Sequence, residues 1–159
     1  MDCVGVCPAL LVRAYLAFWD GQVMSEITVT EHQHQSALFQ WWKVVHHRYR
    51  LPEKALYHTP NEGKRSVYAA AKLKAEGMRT GLPDIVLAVP RGGYGALYIE
   101  LKTQKGRPSQ DQLEYIDILC SCGNVAMICR GWETAKAIIE AYLDGENIPQ
   151  WDAKAGKPM

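Results

Sequence analysis

Asp84, Glu100 and Lys102 are the residues of this sequence whose types and spacing best suit joint chemistry. Asp84 opens an apolar run, residues 85–89, and Glu100 and Lys102 close a second one that starts at residue 96. Between the runs lies Arg91-Gly92-Gly93-Tyr94-Gly95. Two apolar β-forming runs around a glycine-rich break predict a hairpin with a loop longer than the tightest turns. A reversal near Gly92 and Gly93 sets Asp84 opposite roughly residue 102, with Glu100 about two positions along and within diagonal reach. Strand side chains alternate between faces, so Glu100 and Lys102 point one way and Leu101 the other. Two carboxylates and an ammonium therefore meet at a strand end. Charge within such apolar sequence is costly unless it is paired or holds a metal. A structural ion pair between Lys102 and Asp84 is the simplest account. The functional account is a hard-cation site, in which two carboxylates and a nearby carbonyl suit Mg²⁺ or Mn²⁺ and leave room for waters and a phosphate.

The elements around the hairpin have clear local signals. Thr30-x-x-Gln33 reads as a capping box opening a helix that runs to about Tyr49, where Leu51-Pro52 stops it, with Leu38, Trp41, Trp42 and Val45 inward. Residues 56–59 form a short strand candidate, followed by the turn-like Pro60-Asn61-Glu62-Gly63. Residues 66–76 read as a helix with Val67, Ala70, Ala71 and Leu73 inward and Gly77 as its C-cap. After the hairpin, Gln104-Lys105-Gly106-Arg107-Pro108 is a basic loop, and Ser109 caps a helix with Leu113, Ile116 and Leu119 or Cys120 at core spacing. Residues 125–129 then form a buried strand and 133–143 an amphipathic helix with Ala135, Ile138, Ile139 and Tyr142 inward. The tail from Gly145 has no periodicity. This order gives an α/β fold, a single domain with a mixed central β-sheet flanked by helices on both faces.

The hairpin and its flanks carry a family resemblance. Pro83-Asp84, fifteen residues, then Glu100-Leu101-Lys102 resembles the motif of the PD-(D/E)xK nuclease superfamily. The stretch from Glu76 to Asp84, the Lys102-Thr103 strand end and Ser109-Gln110-Asp111-Gln112 together resemble the VRR-NUC family, the virus-type replication-repair nucleases. The likeness covers about residues 28–143. It implies a restriction-endonuclease-like fold and a Mg²⁺- or Mn²⁺-dependent deoxyribonuclease. It further implies Asp84, Glu100 and the Leu101 carbonyl as metal ligands, and Lys102 as the group that orients the water and stabilises charge. Glu31 and Gln35 look like the family's Glu-x-x-x-Gln, which assigns Glu31 to a second metal or its waters. Gln112 is marked as a motif residue supporting Lys102 or the substrate, and Asn61 falls in a Pro-Asn-x-Gly piece near the site. Without the resemblance, Glu31 is simply an acid at a positive helix end and Gln112 a surface amide.

Charge distribution points to the same partner. Over the whole chain 18 Lys and Arg face 17 Asp and Glu, which says little, but residues 64–107 carry a balance of +6 and the remainder −5. A basic face around the carboxylates suits a polyanion, and Arg91, Lys105, Arg107 and Lys64, with the polar Gln35 and Asn61, are the candidate nucleic-acid contacts. Phosphate contacts of this kind do not read sequence. His32, His34, His46 and His47 suggest a metal, but helix neighbours two apart face away from each other, which favours solvated histidines.

At 159 residues the chain has room for one real core. We expect residues 1–23 to be an extension of unknown role, 24–145 the nuclease-type domain and 146–159 a tail. Cysteines at 3, 7, 120, 122 and 129 fit neither a secreted disulfide framework nor a standard zinc spacing, which points to reduced thiols in a cytoplasm, and the resemblance implies that of a phage or bacterial host. A four-thiolate site from Cys3, Cys7, Cys120 and Cys122 is the less favoured alternative. The apolar stretch 9–19, broken by Arg13, is too short to span a bilayer, so no membrane partner is expected. By resemblance, a homodimer cutting branched or four-way-junction DNA is expected, since a two-fold dimer presents two sites to a pseudo-symmetric junction. A flap-, nick- or end-directed nuclease is the alternative within the fold. The intact Asp84, Glu100 and Lys102 set argues against a non-catalytic nucleic-acid-binding module.

Overall fold

The computed structural model describes residues 29–59, 67–145, 148, 150–152 and 157–158. Helix α1, Glu31–Val45, opens on the expected capping box: the Thr30 side chain accepts from the Gln33 amide and the Gln33 side chain returns to the Thr30 amide. The α-helix gives way to a 3-10 turn, His46–Tyr49, so it ends earlier than the sequence suggested. Arg50, at φ 56, closes that turn in the left-handed region. Strand β1, Leu56–His58, leads to helix α2, Val67–Ala75. Strands β2, Ile85–Leu87, and β3, Leu97–Lys102, are followed by helix α3, Gln110–Ser121, strand β4, Val125–Arg130, and helix α4, Trp132–Asp144. The tail adds a short antiparallel pair, β5 Trp151–Asp152 with β6 Lys157–Pro158, which hydropathy did not foreshadow.

The central sheet has the order β1-β2-β3-β4, antiparallel in its first two pairings and parallel between β3 and β4. The parallel pairing requires a crossover, and α3 is that crossover. Alternation along the strands sorts side chains onto two layers. Ile85, Leu87, Leu97, Ile99, Leu101, Val125, Met127 and Cys129 face the layer of α1 and α4, where they pack with Leu38, Trp42, Ile139 and Tyr142. Tyr98, Ala126 and Ile128 face α3 through Ile116 and its half-buried neighbours Leu113 and Leu119. The expected inward residues of α4 are buried. In α2, by contrast, Ala71 is exposed and Leu73 only half-buried.

The hairpin corrects the expected register. Its tip is a two-residue turn at Gly92 and Gly93, φ 55 and 87, with Arg91 and Tyr94 bonded reciprocally at 3.1 and 2.8 Å. Within the strands the partners are Ile85 with Ile99 and Leu87 with Leu97. One step further, Asp84 stands directly across from Glu100, not from residue 102. One position of the difference comes from the turn, whose Arg91–Tyr94 pairing alone would set Asp84 opposite Leu101, and the second from the one additional residue that the β2 side carries between the tip and the ladder. Pro90 has no N–H to offer, and the Val89 amide bonds back to the Leu87 carbonyl at 2.9 Å instead of reaching β3.

Candidate active site

Glu100 is fully buried, and it sits on the α3 face of the sheet with Lys102, itself only 7% exposed. The Lys102 Nζ donates to Glu100 Oε1 at 2.5 Å, and the Gln112 Nε2 donates to the same oxygen. Glu100 Oε2 is buried without a hydrogen-bond partner. The Asp84 Oδ2 accepts the Leu101 amide at 3.0 Å, which ties the end of β2 to the end of β3. Glu31 comes in from the first turn of α1, with its Oε2 3.6 Å from Lys102 Nζ and its Oε1 accepting the Thr103 amide at 3.4 Å. Lys102 Nζ also lies 3.3 Å from the Leu101 carbonyl.

Burial pushes the Glu100 carboxyl up to about 7, and the charge of Asp84 adds to the push while the bond from Lys102 opposes it. Burial pulls Lys102 towards neutrality. The bond to Glu100 and the carboxylates around it more than offset that, so its pKa stands above the ordinary lysine value. A buried carboxyl with one oxygen unanswered is costly in a finished structure. A hard cation is the partner such an oxygen accepts, and Asp84 and the Leu101 carbonyl supply further oxygen donors beside it. Among the described residues, no three His, Cys, Asp or Glu side chains form a ready metal cluster. The donor set here is two carboxylates and a carbonyl, with Glu31 held against the ammonium.

Gln112 has two tasks. Its oxygen accepts the Ser109 amide at 2.8 Å in a capping box at the start of α3, while its nitrogen reaches Glu100. A cleft of about 260 Å³ opens beside this group, lined by residues 78–82 together with Asp84, Lys102, Ser109, Asp111 and Gln112. Arg79, which sequence reasoning passed over as a contact, is exposed on its wall.

The other sequence candidates are dispersed. Lys105 and Arg107 lie exposed on the loop that follows β3, next to Lys102. Gln35 is half-buried one turn along α1 from Glu31. Arg91 sits at the hairpin tip, paired with Tyr94 and so at the opposite end of β3 from Lys102, roughly 25 Å away at strand rise. Asn61 and Lys64 lie outside the described residues, as do Cys3 and Cys7 of the thiolate alternative. His34 accepts the Trp132 amide at 3.3 Å and so caps α4, a structural task. Cys129 is buried, and burial pushes its thiol up to about 12, which suits a core residue rather than a nucleophile.

The VRR-NUC domain profile matches residues 20–133, most of the chain and all of the group around Glu100. The protein belongs to the VRR-NUC domain family. A solved structure described as a VRR_NUC domain protein superposes with a TM-score of 0.64 at 26% identity, covering 79% of this chain and 94% of that one. No functionally curated protein matches. Membership makes this a nuclease-type domain with DNA as the substrate class, in a family associated with divalent metal use. No helix among the described residues is long and apolar enough to cross a membrane.

Within this VRR-NUC domain, Gly81 shapes the cleft. It adopts φ +80, and a Cβ there would stand 2.4 Å from the Asp111 carbonyl oxygen. Thr80 Oγ1 donates to Asp111 Oδ2 at 2.8 Å beside it, so the 78–82 wall is pinned to the first turn of α3. Gly81→Ala is therefore expected to lower stability by about 2 kcal/mol, from the strained φ and the backbone clash together. Thermal unfolding checks this, and an unchanged midpoint would show that the wall is free to move.

Proposed function

We propose that this protein is a divalent-metal-dependent DNA endonuclease whose reaction centre is Asp84, Glu100 and Lys102, supported by Glu31 and Gln112. The observation that carries the reading is the fully buried Glu100 carboxylate, opposite Asp84 and bonded to Lys102, with one oxygen unanswered. Asp84, Glu100 and the Leu101 carbonyl would hold Mg²⁺ or Mn²⁺, with Glu31 beside them. The bound cation supplies Lewis-acid charge to the phosphate and its attacking water.

Lys102 keeps its proton and presents positive charge where negative charge develops on the phosphate. Gln112 fixes the Glu100 carboxylate, so that its free oxygen keeps one orientation. Glu31 holds Lys102 from the other side. Arg79 contacts phosphates in the cleft and Lys105 and Arg107 do so from the loop after β3, while Arg91 and the Asn61, Lys64 and Gln35 positions meet the nucleic acid further out. We place the catalytic domain at residues 24–145. The substrate is branched DNA, a four-way junction above all, cut by a homodimer in a bacterial or phage-infected cytoplasm.

Cleavage of a panel of junction, flap, nicked and linear DNAs, with Mg²⁺ or Mn²⁺ and with chelator, tests this. The expected result is metal-dependent incision strongest on the junction, with the protein eluting as a dimer. Equal cutting of all four DNAs would remove the junction assignment. No incision of any of them with either metal would remove the catalytic reading itself.

A further inference from the structure

Arg130 ends β4 beside Lys102, its register partner on β3, and sequence patterning gives it no role. Its Nη1 donates to the Thr103 carbonyl at 3.1 Å, the Gln104 carbonyl at 3.1 Å and the Gly106 carbonyl at 2.7 Å. Three backbone acceptors thus converge on one guanidinium nitrogen, and bonds to a charged donor are the stronger kind. The attachment is mutual, because Gln104 Nε2 donates to the Arg130 carbonyl at 3.4 Å and the Gly131 amide to the Lys102 carbonyl at 3.0 Å.

The turn held in this way presses on the reaction centre. Its carbonyls face Arg130, while the Thr103 amide donates to Glu31 Oε1 at 3.4 Å. Gly106 packs so closely that a Cβ there would stand 3.1 Å from Glu31 Oε1 and 3.3 Å from Lys102 Cδ. The turn is therefore sandwiched between Arg130 on one side and the Glu31 and Lys102 pair on the other. The basic residues Lys105 and Arg107 stand exposed on this loop.

We infer that Arg130 is a positioning residue, which braces the loop of residues 103–107 so that Glu31 and Lys102 keep their contact and Lys105 and Arg107 face the phosphate backbone. Its own Nη1 is committed to the loop. The brace stands on geometry alone, and only its effect on turnover rests on the nuclease reading.

The test is Arg130→Met, similar in length and uncharged, set beside Arg130→Lys, which keeps a cationic donor. In the protein without DNA, hydrogen exchange of the Gly106 amide, which is bonded to the Thr103 carbonyl at 3.1 Å, should quicken by about 10-fold or more in Arg130→Met. Amides within β3 should keep their protection. In cleavage assays Arg130→Met should lose about 10-fold in kcat, in the range for groups that orient reaction-centre residues. Any shallowing of the salt dependence of DNA binding, through loosened Lys105 and Arg107, should come together with that loss of kcat, and Arg130→Lys should recover most of both. Unchanged Gly106 exchange would overturn the brace. So would a salt slope shallower by about 0.9 at unchanged kcat, because that marks a direct phosphate contact. If the wild type cuts nothing while Arg130→Met still quickens Gly106 exchange, the nuclease reading fails and the brace stands.

Discussion

Glu100→Gln is expected to reduce metal-dependent cleavage at least about 1,000-fold, the loss of several kcal/mol of charge-assisted catalysis. The substitution is nearly isosteric and removes one charge from a fully buried position. It keeps an oxygen that can accept from Lys102 and Gln112, the two donors now on Oε1. It takes away the anionic oxygen that has no partner. A neutral amide is a poor donor for a hard cation, so calorimetric uptake of Mn²⁺ should fall with the rate. Binding of DNA should survive within a few-fold, since in the proposed mode it rests on Arg79 at the cleft wall and on Lys105 and Arg107 of the loop after β3. Circular dichroism and the melting curve should match the wild type and so separate lost chemistry from lost fold. Cleavage within about 10-fold of wild type, at a matched metal concentration, would show that Glu100 is a core residue and not a ligand.

Legibility of the site from sequence followed the kind of interaction involved. Periodicity and capping are local, so the capping box at Thr30 and the cap at Ser109 could be placed, whereas the return bond from Gln112 that completes a second box could not. The shared face of Glu100 and Lys102 follows from strand alternation alone. The register does not, because it depends on how the chain leaves the Gly92-Gly93 turn. There Pro90 and the Val89 amide, bonded back to the Leu87 carbonyl, leave one residue outside the β2–β3 ladder. That residue, with a turn centred between Gly92 and Gly93, moves Asp84 two positions, from opposite residue 102 to directly across from Glu100.

Arg91 was grouped with Lys105 and Arg107 by charge, but strand direction sends it to the other end of the hairpin. Arg130 gave no signal because its partners are backbone carbonyls, which carry no residue identity. Arg79 stood inside a quoted motif but took its place beside the carboxylates only through the packing of Gly81 on Asp111. The tail pairing of β5 with β6 is two residues on each side, too short to leave a pattern.

Lys102→Met should remove cleavage and, in the metal-free protein, produce a stability defect that grows with pH. In the wild type the folded Glu100 pKa of about 7 lies above its ordinary value of 4.5. Between those values the folded protein keeps a proton that the unfolded chain releases, so this group costs stability as pH rises through that window. Lys102 limits the cost, because its ammonium at 2.5 Å favours the ionised carboxylate. Methionine fills similar volume without charge and leaves Glu100 among desolvated neighbours, with Asp84 opposite and Gln112 its one remaining donor among those described above. The folded pKa of Glu100 then rises further, and the window in which it costs stability extends upward. Breaking a buried pair by removing one partner costs about 3–5 kcal/mol when the remaining charge stays ionised, and much less when it takes up a proton. The defect relative to wild type should therefore be small at pH 5, where Glu100 is protonated in both folded proteins. It should grow by about 1 kcal/mol by pH 8, one pH unit above the wild-type folded pKa of about 7, where only the wild type holds the ionised pair. Urea unfolding at both pH values measures it. A defect of equal size at pH 5 and pH 8 would mean that Lys102 stabilises the fold through its packing rather than through the charge of Glu100, and the electrostatic basis of the site would go with it.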